Sequence, residues 1–269
     1  MTYPSPIDLQ VQDGIALITL NRPEVRNAMD DAMRVDLVAV LDAVARDNAI
    51  KALVLTGAGK GFCAGGDIRS MQERARAPAG EVAFNGWARQ QRTHHAVSLL
   101  HAMPKPTIAA VNGAATGLGA DIAMCCDFVM ASSSAMFAWT YVLRGLIPDG
   151  GGMYFLPRRV GLPRAKELIY TGRKVGPDEA LALGVADRLS TPENLLADAR
   201  AWAAGMCQGS GPALALSKSI LDKSFELSAE EVFAQGSQAQ GICYSTAEHQ
   251  AAIAAFLDKS DRPAGGAKA

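Results

Sequence analysis

Two stretches of this 269-residue chain are built alike, and they limit its fold more than any other feature. Residues 52–56 (ALVLT) read as a fully buried strand, closed by Gly57. A glycine-rich loop follows and ends Phe62-Cys63-Ala64-Gly65-Gly66-Asp67. Residues 106–111 give a second buried strand, which runs into Asn112-Gly113-Ala114-Ala115-Thr116-Gly117-Leu118-Gly119-Ala120-Asp121. Each loop ends in small residues at a helix start. There the first backbone N–H groups have no intrahelical acceptor and point outward, and small side chains let a ligand come close. Either loop alone reads as a tight turn. Two such donors converging on one point would make an oxyanion hole.

The remaining pattern places these loops in an α/β core. Ile7, Leu9 and Val11, a turn at Asp13-Gly14, then Ala16, Ile18 and Leu20 predict a β-hairpin. Asp30 can cap a helix carrying Met33, Leu37, Val40, Leu41 and Val44 at helical spacing. Residues 68–103 read as helix broken near Pro78, 127–131 as a third strand and 135–138 as a short fourth. After Pro163 helix follows helix, with 185–189 the one expected strand. The expected organisation is an α/β core over 1–195, a helical C-terminal region over 196–262, and a disordered tail over 263–269.

Composition and motif tests narrow the function. Hydrophobic residues make up 49% and the net charge is −1, so no basic excess exists to neutralise a nucleic-acid backbone. No apolar stretch is long enough to span a bilayer, and no signal peptide opens the chain. The five cysteines form no C-x-x-C pair and the four histidines no metal-binding cluster. The expectation is therefore a metal-free protein of the reducing cytoplasm. G-x-S-x-G is absent, and Gly57-Ala58-Gly59-Lys60-Gly61 lacks a Walker ending. Phe62 and Ile122 stand where the two loops would need a last glycine for G-x-G-x-x-G.

Four ordered segments resemble the enoyl-CoA hydratase/isomerase, or crotonase, superfamily: Asn21 to Met29 (NRPEVRNAM), Gly57 to Met71 (GAGKGFCAGGDIRSM), Pro104 to Asp127, and Gly145 to Gly161. The resemblance implies a spiral of β-β-α units with an α-helical C-terminal region. It implies a coenzyme A thioester as substrate and no separate cofactor. The Ala64 and Leu118 amides would hold the thioester oxygen. Ala28, Gly65, Gly66, Asp67, Ile68 and Gly117 would line the coenzyme A path, and Arg26 would face the nucleotide phosphates.

The acids set the reaction. A hydratase of this family typically carries two glutamates, and the motifs align them with Asp121 and Tyr141. The second position is thus not a carboxylate. Asp149, after Pro148, stands where family members that shift double bonds carry an acid. Asp121 and Asp149 over an apolar pocket could relay a proton between carbons, their carboxyls raised by desolvation. The bland alternatives are a first-turn helix residue for Asp121, a helix cap for Asp149 and an aromatic wall for Tyr141. Phe84, Trp87, Phe137 and Trp139 read as core or as acyl-pocket lining.

The expected function is hydration or isomerisation of an enoyl-CoA through a stabilised enolate, tilted towards isomerisation. Decarboxylation or hydrolysis of an acyl-CoA on the same fold, and a non-catalytic thioester binder, are the rivals. The family also implies a homotrimer or dimer of trimers. Residues 247–257 are apolar on more than one face, as suits a helix buried on several sides. Phe256 and Lys259 match family residues at the nucleotide end of coenzyme A.

Overall fold

The computed structural model describes residues 5–260. Six strands form the main sheet: β1 (Ile7–Gln12), β2 (Ile15–Leu20), β3 (Ala52–Gly57), β5 (Thr107–Val111), β7 (Phe128–Ser132) and β9 (Arg188–Ser190), side by side in that order. β1 and β2 are antiparallel and every later pairing is parallel. A second, parallel sheet holds β4 (Gly61–Cys63), β6 (Ala114–Thr116) and β8 (Met136–Ala138). Three successive strand pairs, β3/β4, β5/β6 and β7/β8, each place one strand in either sheet. This is the spiral of β-β-α units expected from the motifs.

Strand burial follows position. All residues of β3 and β5 are buried, as in a parallel sheet covered on both faces. β1 is an edge strand, and there the expected alternation fails: Ile7 is buried, whereas Leu9 and Val11 are exposed. The last strand also differs from expectation. Val185 and Ala186 are buried beyond the helix α7 (Pro177–Leu183), and β9 begins only at Arg188.

The helix α1 (Asp31–Arg46) is capped by Asp30, whose carboxylate accepts the Met33 N–H at 2.8 Å, and it buries Met33, Leu37, Leu41 and Val44. α2 (Ile68–Ala75) and α3 (Ala79–His101) follow the first loop, and α4 (Leu118–Cys125) follows the second. α5 (Gly152–Val160) and α6 (Leu162–Thr171) come next. The first compact unit continues through α8 (Leu195–Met206), which buries Leu195, Ala199 and Ala203 and packs on β3, β5 and β7. That contact carries the unit past the 195/196 boundary expected from sequence. A second unit starts at Cys207 and contains α9 (Gly211–Leu221), α10 (Ala229–Tyr244) and α11 (Ala247–Ser260). The tail 263–269 lies outside the described residues. Among the described residues, no helix is long and apolar enough to cross a membrane.

Candidate active site

The segment before α1 holds the first loop in place. Arg26 and Asn27 both adopt left-handed backbone, with φ of 53° and 58°. Asn tolerates that region better than most residues, and Asn27 uses the turn fully. Its amide nitrogen donates to the carbonyls of Ala58, Gly61 and Phe62 at 2.8–3.1 Å, and its Oδ1 accepts the Arg22 N–H. The Cys63 thiol, pushed up to about 11 by burial, donates to the Asn27 carbonyl. Further on, the Asp67 N–H donates to the Met29 carbonyl and the Met29 N–H to that of Gly65. The second loop nests against the first: a Cβ at Gly119 would collide with the Cys63 carbonyl oxygen, so only glycine fits there.

This docking corrects one expectation. The Ala64 N–H donates to the Arg26 carbonyl at 2.9 Å, so it is not available to a thioester oxygen. The available amide of the first loop is two residues on. Gly66 lines a cavity of about 330 Å³ together with Leu118. Among the described residues, neither of these two N–H groups has a protein acceptor. The segments are adjacent, since a Cβ built at Gly65 would lie 3.5 Å from the Leu118 nitrogen.

The acids separate. Asp149 is half-buried and lines the cavity, as does Tyr141. Asp149 is no helix cap: α5 is capped by Gly151 without a side-chain bond. Burial raises its carboxyl above the ordinary range, opposed in part by a hydrogen bond from its own backbone N–H and by the nearby His94, Arg89 and Arg34 side chains. Asp121, expected to flank the reacting carbons, does not reach the cavity. It is fully buried in the first turn of α4. Its Oδ1 accepts the indole N–H of Trp139 at 3.0 Å and its Oδ2 the hydroxyl of Tyr141 at 2.6 Å. A Cβ at Gly152 would strike Oδ1, so the glycine lets the backbone close over the carboxylate. Desolvation pushes Asp121 up to about 7 against the lowering effect of these bonds.

Other expected residues sit elsewhere. Asp67 is buried and its carboxylate is taken up by Arg22 at 3.3 Å and by the Arg69 N–H, so it braces the loop. Ala28 and Gly117 are buried, while Arg26 and Ile68 are exposed, and none of the four lines the cavity. Phe137 and Trp139 are core, whereas Phe84 and Trp87 are exposed on α3 and are neither core nor cavity wall. Phe256 is exposed in the second unit. The side chain of Lys259 lies outside the described residues. Sequence reasoning missed Arg34 and Arg89 on the cavity wall and the bond from His94 Nε2 to the Asp149 carbonyl, 3.0 Å long. The available signal was a charged residue at position 34, in the helical row of Leu37 and Leu41.

A family model described as enoyl-CoA hydratase/isomerase matches residues 10–265. The chain belongs to the enoyl-CoA hydratase/isomerase family. It is 34% identical over 260 residues to a crotonyl-CoA hydratase of Syntrophomonas wolfei, covering 96% of this chain and 97% of that one. It is equally 34% identical, over 249 residues, to the 1,2-epoxyphenylacetyl-CoA isomerase of Escherichia coli, covering 93% and 94%. The solved structure of an enoyl-CoA hydratase from Polaromonas superposes with a TM-score of 0.88 at 29% identity, covering 94% of this chain and 97% of that one. Relatives of both reaction types therefore match this family member at the same identity, and its own cavity must discriminate between them.

Proposed function

We propose that this family member moves a double bond in an enoyl-CoA thioester, with Asp149 as the base that carries the proton. The observation behind this reading is that, among the described residues, Asp149 is the one carboxylate on the cavity wall. In a 3-enoyl thioester, ionised Asp149 takes a proton from C2. The electron pair delocalises over C2 to C4 and onto the thioester oxygen, which accepts from the Gly66 and Leu118 amides. Asp149 then returns the same proton at C4, leaving the 2-enoyl thioester. Two preorganised donors at that oxygen contribute about 3 kcal/mol each, the usual worth of such a group. Tyr141 packs beside the reacting carbons, and Asp121 positions it through its hydroxyl.

Hydration is the second reading, favoured by the hydratases among the relatives. It needs a group to hold and deprotonate water besides the group that protonates carbon. Tyr141 stands where the resemblance puts the second acid of a hydratase, and its hydroxyl is engaged with Asp121; among the described residues on the cavity wall no second carboxylate accompanies Asp149. A paired assay of a 3-enoyl-CoA and its 2-enoyl isomer separates the two. Isomerisation predicts interconversion without a 3-hydroxyacyl product, and accumulation of that product contradicts it.

No cofactor beyond the coenzyme A of the substrate enters this scheme. Its setting is a trimer, or a dimer of trimers, in the cytoplasm. Exposed Phe225, Phe233 and Phe256 in the second unit support assembly, and five free cysteines suit a reducing compartment.

A further inference from the structure

Asp149 is carried on a lightly held piece of chain. Pro148 precedes it and Gly150-Gly151 follow, and glycine gives the backbone on that side the widest choice of dihedral angles. Gly151 uses that freedom, at a φ of 109°. The Asp149 N–H turns back to the Ile147 carbonyl at 2.8 Å, a bond within the loop itself. Among the described residues, one hydrogen bond ties residues 147–150 to a helix or strand. It joins Nε2 of His94, on α3, to the Asp149 carbonyl at 3.0 Å.

The sense of this bond is fixed by its acceptor. A carbonyl oxygen can only accept, so Nε2 carries the hydrogen and donates. The neutral ring then leaves Nδ1 bare, and a proton arriving at Nδ1 leaves the bond intact. His94 stands one helical turn after Gln90, which lines the cavity with Asp149. The ring itself is exposed and forms neither core nor cavity wall. On the other side of the held peptide, Gly150 packs on the start of α4. A Cβ there would collide with the Leu118 side chain and lie 2.9 Å from Oδ2 of Asp121. The peptide gripped by His94 therefore joins Asp149 to the residue that rests beside the Leu118 amide. Rotating it would displace the carboxylate relative to that amide.

We infer that His94 is a positioning residue for Asp149: by donating to the Asp149 carbonyl it fixes the peptide that carries the base, and so sets where the carboxylate stands against the substrate. It acts through Asp149 and not on the substrate itself. This rests on the reading that Asp149 is the base of the reaction. A reacting group misplaced by about 1 Å can cost up to about 100-fold in rate, while binding made elsewhere persists.

Steady-state isomerisation of a 3-enoyl-CoA by His94→Ala and His94→Gln, run beside Asp149→Asn, tests it. Gln brings an amide N–H close to where Nε2 stands, and Ala brings none. In His94→Ala the expected result is a fall in kcat of about tenfold, with KM within about threefold of wild type and the melting temperature unchanged. In His94→Gln kcat should return to within about threefold of wild type. A merely structural role at this exposed position would lower the melting temperature and spare kcat. A kcat within about twofold of wild type in His94→Ala overturns the inference, as does an equal loss in both His94 variants or a loss carried by KM. If Asp149→Asn loses turnover while His94→Ala keeps it, only the inference is refuted. If Asp149→Asn turns over like wild type, or the wild type leaves the thioester unchanged, the reading of Asp149 falls and the inference with it.

Discussion

The hydroxyl of Tyr141 donates to Oδ2 of Asp121 across 2.6 Å, and this bond divides the labour in the site. Tyr141 faces the cavity and Asp121 stands behind it. An ionised Asp121 fixes the tyrosine ring but cannot touch substrate. Tyr141→Phe removes a donor that lowers the Asp121 carboxyl, so that group should titrate above its value of about 7. Carbon-13 NMR of the labelled carboxyl reads the direction. Activity should fall by less than about tenfold, well short of the range for a positioned acid or base.

The raised Asp121 also predicts a pH dependence of stability. Its carboxyl titrates near 4 unfolded and at about 7 folded. Between those values the folded chain binds the proton more tightly, so this contribution is complete below the unfolded value. It is lost as pH rises through about 7. Urea unfolding of wild type and Asp121→Asn across pH 4–8 isolates the effect. The difference in stability should move in favour of Asn by up to a few kcal/mol as pH rises, and a pH-independent difference would contradict the burial argument.

Asn27 predicts a structural loss at a distance from chemistry. Asn27→Ala leaves the carbonyls of Ala58, Gly61 and Phe62 without its amide donor and forces alanine into a left-handed turn. The cost should be on the order of 3 kcal/mol, read as a lower midpoint in chemical denaturation.

The two amides of the first loop make a contrasting pair. Gly66→Pro removes an N–H that has no protein acceptor among the described residues and should lower kcat about 10²–10³-fold with the fold retained. Ala64→Pro removes an N–H bonded to the Arg26 carbonyl and should cost stability first. Paired melting and kinetic measurements check the contrast, and equal catalytic loss with equal stability would refute it.

The architecture was legible because its determinants are local. Apolar runs mark β3 and β5, Asp30 marks the start of α1, and glycines mark the loop ends. The site was legible only to the level of segments. Which loop amide is spare depends on the Arg26 carbonyl, presented by a left-handed turn distant in sequence. Asp121 sits at the first acid position implied by the resemblance, but Trp139 and Tyr141 turn it into the core, and no spacing rule carries that fact. Arg34 and Arg89 become neighbours only when α1 packs on α3 through Thr93. The edge position of β1, which exposes Leu9 and Val11, likewise follows from sheet order rather than from alternation.

Single-base proton transfer by Asp149 is most directly tested by the turnover of a 3-enoyl-CoA by Asp149→Asn. The amide keeps the size of the side chain and cannot take a proton. The account predicts a fall in kcat of about 10²–10⁴-fold with thioester affinity largely retained. A kcat within about threefold of wild type, on a substrate that the wild type isomerises, would contradict it.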